Sequence, residues 1–306
     1  MKIVVLGAGG VGGYFGGRLA LAGSDVTFVA RGAHLAALRQ NGLTIKSPRG
    51  DAHLAKPQLA QHVGEIDRAD LVLVGVKLWD TEAIAPTLKP LVDAGAAVLS
   101  LQNGVRKDAD LRQHLPAAAI MGGVCYIAAS IAEPGVIAHA GQMQRLIFGE
   151  YDGRHSPRAQ ALLAACTAAG IDAELSPAIE RLIWEKFVFL VGLSGTTSLY
   201  RTPIGPIRTD PERRALLADA MREVVAVGRA KGVPLPADFA EGRLAFCDTI
   251  PETMTSSMET DLARGNRLEL PWLSGDVVAQ GASLGVPTPA NAHIAEALTP
   301  FVMGGR

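Results

Sequence analysis

The 306-residue chain has almost no net charge: 29 Lys plus Arg against 30 Asp plus Glu leave −1. No global positive field is available to steer it to nucleic acid or to an anionic membrane. Cysteine is scarce. Cys125, Cys166 and Cys247 are odd in number, widely spaced and without a CxxC pair. That excludes a disulfide framework and a four-thiolate zinc site, so the expectation is a reducing, cytoplasmic compartment and no metal. Long apolar runs are lacking too. The run at the N-terminus stops at Gly7, too early for a signal-peptide core. Residues 115–132 are uncharged for 18 positions, but Pro116, Gly122-Gly123 and Ser130 interrupt them. They read as a buried strand with flanking turns, not a membrane span. Internal repeats and low-complexity tracts are absent, since 34 Gly and 18 Pro fall short of the roughly 25–30% such tracts show.

What is present is an ordinary globular composition, 48% hydrophobic and 19% charged. At ~100–200 residues per domain, the length suggests two domains. Short β-branched runs at 2–6, 25–30, 70–76 and 96–101 read as buried parallel strands, with a further strand at 43–46. Helices are predicted at 11–22 and 81–92. Later strands fall at 120–128 and 144–149, with a turn-rich segment at 133–141 between them. Strands alternating with helices predict an α/β, Rossmann-type doubly wound sheet. Beyond Ser176 the pattern becomes helical at 178–199, 236–247, 255–264, 272–284 and 289–302. Asp210-Pro211 caps another helix that runs to about Lys231. The expected division is 1–176, an α/β domain, and 177–306, an all-helical one.

Glycine is locally enriched: seven of the 34 lie between Gly7 and Gly17. Gly7-Ala8-Gly9-Gly10-Val11-Gly12 fits GxGxxG, follows a strand, opens a helix and precedes a second strand. In that context the pattern marks a dinucleotide site, with Gly7 for the turn, Gly9 for approach to a pyrophosphate and Gly12 for helix packing. Where an NAD site carries Asp or Glu, the second strand here runs into Arg31-Gly32. A guanidinium pairs with a 2′-phosphate in forked geometry, so NADPH is expected over NADH. The competing reading of Arg31 is a solvated loop cation. Lys77 and Asn103 follow two further strands, at carboxyl ends where ligands bind in such sheets. They are candidates for cofactor contacts, against a surface lysine and an Asn-Gly turn.

In the second half, Lys186 is followed by seven uncharged residues. Partial burial lowers a lysine's pKa and makes it a usable proton donor, unless it merely snorkels beside Glu185. Helical spacing puts Lys186, Leu190, Ser194 and Thr197 on one face. Ser257 and Glu269 are candidate substrate contacts, weighed against a helix cap and a surface carboxylate.

GAGGVG, Arg31-Gly32, VK at 76–77, QNG at 102–104, WEK at 184–186 and SSM…E from Ser256 to Glu269 together resemble the ketopantoate reductase (2-dehydropantoate 2-reductase) family over nearly the whole chain. The resemblance implies a Rossmann domain joined to a helical domain, with the active site in the cleft between them. It implies NADPH-dependent reduction of a 2-oxo acid to a 2-hydroxy acid, in the first instance ketopantoate to pantoate in pantothenate biosynthesis. It gives Arg31, Lys77 and Asn103 to the cofactor, makes Lys186 the general acid, and places Ser257 and Glu269 on the substrate. The chain departs from the family pattern where asparagines are typical, at Leu190, Ser194 and Met254. Two apolar groups and a hydroxyl in place of three amides argue for a less polar or bulkier 2-oxo acid. A paralogous reductase of such an acid, or of an imine, is therefore the alternative; a non-catalytic NADPH sensor is the remaining rival. The expected partner is a small-molecule 2-oxo acid, with no nucleic acid and no membrane, and a homodimer is left open.

Overall fold

The β-branched runs form strands because their side chains are buried on both faces. The structure, a computed structural model, describes residues 1–305. The chain divides into two units, one of residues 1–103 and 107–179, the other of residues 104–106 and those from 180 onward. The strands of the first unit are β1 (Lys2–Leu6), β2 (Asp25–Val29), β3 (Leu43–Lys46), β4 (Ala52–Leu54), β5 (Gln58–Ala60), β6 (Leu71–Val74), β7 (Ala97–Ser100), β8 (Ile120–Glu133), β9 (Val136–Gly149) and β10 (Asp172–Leu175). Its helices are α1 (Gly10–Leu21), α2 (Gly32–Asn41), α3 (Thr81–Ile84), α4 (Lys89–Asp93), α5 (Lys107–Arg112) and α6 (Pro157–Ala168).

The strands make one sheet in the order β4-β3-β9-β8-β7-β6-β1-β2-β5, with β10 beside β9. From β5 to β8 every pairing is parallel. Side chains alternate between the two faces of a strand. Accordingly Ile3 and Val5 join one core with Phe15, Phe28 and Leu73, while Val4 and Leu6 join another with Val72, Leu88 and Leu91. Helical cover on both faces is the doubly wound arrangement expected.

Two local expectations are corrected. The helix at 81–92 is not continuous: α3 gives way to a 3-10 turn at Ala85–Leu88 and then to α4. Pro86 and Pro90 lack the N–H that a continuous helix needs, so each starts a new short element. The turn-rich segment at 133–141 is mostly strand. β8 and β9 are 14 residues each and pair antiparallel around a tight turn at Pro134-Gly135. The pairing jumps from Ile127–Gln144 to Ala128–Ala140, so residues 141–143 bulge out of the ladder. That bulge interrupts the period of two and hides the strand from a pattern search. In this unit α2, α5, α6, β4, β5 and β10 have no counterpart among the expected elements; the three strands are only three or four residues long.

Among its described residues the second unit has helices and no strand: α7 (Ile179–Tyr200, whose first residue belongs to the first unit), α8 (Ile204–Thr209), α9 (Pro211–Ala230), α10 (Phe239–Cys247), α11 (Ser257–Ala263), α12 (Ser274–Leu284) and α13 (Pro289–Leu298). Asp210 caps α9 as its sequence predicts, its carboxylate accepting from the Glu212 and Arg213 amides at 3.0 and 3.1 Å. Phe187, Val188 and Val191 on α7 share a core with Leu217, Met221 and Val224 on α9. Gly192 permits the close approach, since a Cβ there would stand 2.7 Å from Met221. α7 is long and apolar enough to cross a membrane, yet 67% of its apolar window is buried inside the protein. It packs as a core helix.

All three thiols are free and buried. Burial pushes the Cys166 thiol up to about 12 and, with Asp248 adding to the effect, Cys247 up to about 11. The thiolate is the reactive form. With Cys125 shielded by burial alone, a thiol reagent at pH 8 should modify none of the three in the folded protein and all three in denaturant, as counted by mass spectrometry.

Candidate functional site

In the first unit, four parallel strands end side by side. Leu6 of β1 is paired with Val29 of β2 and with Val74 of β6, and Val74 with Ser100 of β7. The chain turns off these ends into the glycine loop, Arg31, Lys77 and Asn103, which the register thus brings to one edge. The chain order also reverses at β1, where β2 lies on one side and β6 on the other. In open α/β sheets this switch point, at the carboxyl ends, is where ligands bind.

The glycines of the loop have separate duties. Gly7 has φ +96°, and a Cβ there would stand 2.8 Å from the Val76 amide. Cβ atoms on Gly12 and Gly10 would overlap the carbonyl oxygens of Gly7 and Ala129. These positions are glycine because the protein itself leaves no room. Gly9 differs: a Cβ there would meet nothing within 4 Å. It is also the N-cap of α1, which has no side-chain cap and no acidic residue in its first turn. A helix start with open space at its N-cap and no acidic residue in its first turn has the donors and the room for a pyrophosphate. Ala8 is buried and Val11 half-buried beside it.

Arg31 is 84% exposed and donates to Asp80 at 3.1 Å. Asp80 ends a 3-10 turn that starts directly after Lys77, so the loops leaving β2 and β6 meet through this pair. Lys77 is exposed, with its ammonium 5.5 Å from the Trp79 ring centroid. Asn103 is half-buried. A buried polar chain supports its loop: Lys107 donates to the carbonyls of Ser100 and Gly123, both at 2.8 Å, and Ser100 Oγ donates to Gln102 Oε1 at 2.9 Å. Gln102 Nε2 in turn donates to Thr81 Oγ1 at 2.8 Å. Neither Asp80, Gln102 nor Lys107 emerges from sequence reasoning. Each acts through a partner distant in the chain, and only the QNG motif hinted at one of them.

In the second unit, Lys186 and Leu190 are half-buried on α7. Ser194, one turn on, is wholly buried, and its Oγ has no hydrogen-bond partner among the described residues. Met254 is half-buried against the core. The alternative of Ser257 as a helix cap is corrected: Ser256 caps α11, accepting from the Glu259 amide at 3.1 Å. Ser256 Oγ also lies 2.9 Å from Thr197 Oγ1, which itself donates to the Leu193 carbonyl at 2.6 Å. The Ser256 proton therefore goes to Thr197, and α11 is tied to α7. Ser257, the next residue, is exposed and has no capping duty. Glu269 is no surface carboxylate, at 8% exposure. Burying a carboxylate carries a desolvation cost, which sets it apart from the ordinary acidic residues of this surface.

A parallel sheet whose switch point carries a glycine-rich helix start is the architecture of the Rossmann-type dinucleotide-binding proteins. The sequence profile of "Ketopantoate reductase PanE/ApbA" matches residues 3–153, and that of the family's C-terminal region matches 178–301. The 2-dehydropantoate 2-reductase of Halobacterium salinarum is 33% identical over 297 residues, 97% of each chain. The crystal structure of a PanE/ApbA family ketopantoate reductase from Ralstonia eutropha superposes with a TM-score of 0.89, at 34% identity and 98% coverage of both chains. A D-mandelate dehydrogenase bound to NADH and anilino(oxo)acetate shares the fold, with a TM-score of 0.88 at 22% identity over 98% of each chain. The chain belongs to the ketopantoate reductase family.

The glycine geometry makes a prediction. Gly12→Ala should destabilise the protein by about 1–3 kcal/mol, since backbone must shift. Gly9→Ala should leave the thermal midpoint within about a degree of wild type while weakening dinucleotide binding at least roughly tenfold. Thermal denaturation alongside a fluorescence titration separates the two effects.

Proposed function

We propose that the protein is an NADPH-dependent reductase of a 2-oxo acid, giving a 2-hydroxy acid, with 2-dehydropantoate to pantoate, in cytoplasmic pantothenate biosynthesis, as the first assignment. The observation that carries this reading is the shared register of four strand ends, which gathers the glycine loop, Arg31, Lys77 and Asn103 at one edge in a chain of this family.

Bound NADPH would supply the hydride that reduces the carbonyl carbon. The amides of Gly10, Val11 and Gly12 at the start of α1 hold the pyrophosphate, with Gly7, Ala8 and Gly9 shaping the turn. Arg31 exchanges Asp80 for the 2′-phosphate; an exposed ion pair is worth only ~0–1 kcal/mol, so the exchange costs little. Lys77 complements the cofactor's charge, and Asn103 hydrogen-bonds its ribose or nicotinamide. In the second unit, Lys186 Nζ donates the proton that the carbonyl oxygen takes up as the carbon is reduced. The lysine is left neutral and regains its proton from water. Ser257 donates to the substrate carboxylate, and Glu269 accepts from a substrate hydroxyl. Leu190 and Met254, both half-buried, line the remainder, and the wholly buried Ser194 backs this lining one turn along α7 from Leu190.

That lining favours a second reading, a family paralogue acting on a less polar 2-oxo acid or on an imine, because Leu190 and Met254 offer no polar atom comparable to an amide. NADPH oxidation followed at 340 nm against a panel of 2-oxo acids decides between them. Turnover of ketopantoate supports the first assignment, and turnover of apolar 2-oxo acids alone supports the second. Tight NADPH binding with no turnover on any member would point to a sensor.

Two substitutions test the roles. Arg31→Ala should raise the Kd for NADPH roughly tenfold while hardly changing that for NADH; an unchanged preference refutes the NADPH reading. Lys186→Ala should slow the chemical step about 10²–10⁴-fold in single-turnover measurements, with cofactor Kd unaltered. A small change would leave Lys186 structural.

A further inference from the structure

His34 lies in the first turn of α2, three residues after Arg31, and joins elements that are far apart in the chain. Its Nε2 is 2.8 Å from the Ala8 carbonyl oxygen of the glycine loop. Its Nδ1 accepts from the Gly135 amide, at the β8–β9 turn, at 3.1 Å. A backbone N–H can only donate and a carbonyl can only accept. The imidazole is therefore neutral, with its proton on Nε2, and both ring nitrogens are used. An imidazolium would set two donors against each other at Gly135. Burial, partly opposed by the Ala8 bond, holds its pKa below the usual histidine range, in keeping with the neutral form. Gly135 is itself anchored, its carbonyl accepting from the Thr44 amide at 2.9 Å. The glycine loop is thus tied through one side chain to α2 and, through the β8–β9 turn, to β3 of the sheet.

We infer that His34 is a positioning residue that sets the spacing between the glycine loop and Arg31. In the reading above, those are the two points that grip the pyrophosphate and the 2′-phosphate of a single NADPH, and the inference rests on that reading. The physical reason is rigidity. Arg31 is the N-cap of α2 and His34 belongs to its first turn, so fixing the imidazole to Ala8 fixes the backbone of Arg31 relative to the loop. A ligand with anionic groups at both points gains from a preset spacing, because neither group must then be brought into place on binding. NADH, lacking the second group, gains less.

The test is a set of fluorescence titrations with NADPH and with NADH on the purified full chain, together with melting curves. His34→Phe keeps a ring and removes both hydrogen bonds. It should raise the Kd for NADPH about five- to tenfold and that for NADH by about twofold or less. His34→Gln, which carries a donor and an acceptor, should stay within about twofold of wild type. In an Arg31→Ala background the loss caused by His34→Phe should fall to about twofold, because the second grip point is gone. Should the phenylalanine variant not fold, His34→Asn replaces it, keeping the Gly135 bond but too short to reach Ala8, with the same expected losses. An unchanged NADPH Kd, equal losses for the two cofactors, equal losses with and without Arg31, or a glutamine variant no better than phenylalanine would each overturn the inference. Arg31→Ala that binds NADPH like wild type refutes the cofactor reading itself, a result distinct from every His34 outcome.

Discussion

The close approach of α1 to β1 is the constraint on which the first unit depends. At Gly12 a single methyl group would overlap the Gly7 carbonyl oxygen, and Gly16 and Gly17 press the same helix onto Val5 and Ile45. Because α1 lies this near the sheet, its N-terminus begins just past the carboxyl end of β1, at the switch point, where the first-turn amides of a helix have no partner within the helix. A bulkier residue at Gly12 would lift the helix and misdirect those amides. The register of β2, β6 and β7 on β1 then decides which other residues share that edge.

Around this edge the supports are polar, buried and long-range. Lys107 closes the carbonyls of Ser100 and Gly123, where β7 and β8 part after two paired residues. Gln102 passes the tie on to Thr81, one residue from the Asp80 that holds Arg31. His34 holds the opposite flank, between Ala8 and Gly135. Buried polar groups are costly unless satisfied, so a chain of satisfied ones defines one arrangement and excludes its neighbours. In the second unit the Thr197–Ser256 contact does the same for α11, and so for the exposed Ser257 at its start.

Much of the fold was legible where a residue type has one physical use. Gly7 in a positive-φ turn, Asp210-Pro211 at a helix start and the β-branched runs of β1, β6 and β7 read directly, since propensity and packing agree there. Reading failed where two local rules conflict. Pro86 and Pro90 break a segment whose apolar spacing is helical, and the bulge at 141–143 interrupts the alternation of β9. The candidate site followed the same division. Its glycines and Arg31 carry a local signature, whereas Ser256 rather than Ser257 as the cap is a choice between identical neighbours that only the backbone path resolves.

The sequence by itself determined the α/β-then-helical order, the dinucleotide-type loop and the family, because each of these depends on spacing along the chain. Tertiary structure alone decided that Glu269 is buried, that Arg31 pairs with Asp80, and that a histidine without any motif of its own joins the glycine loop to α2 and to the β8–β9 turn. Those facts depend on contacts between residues that are as many as 101 positions apart. Nothing in local spacing encodes a contact of that range; it exists only once the sheet has set the strands side by side.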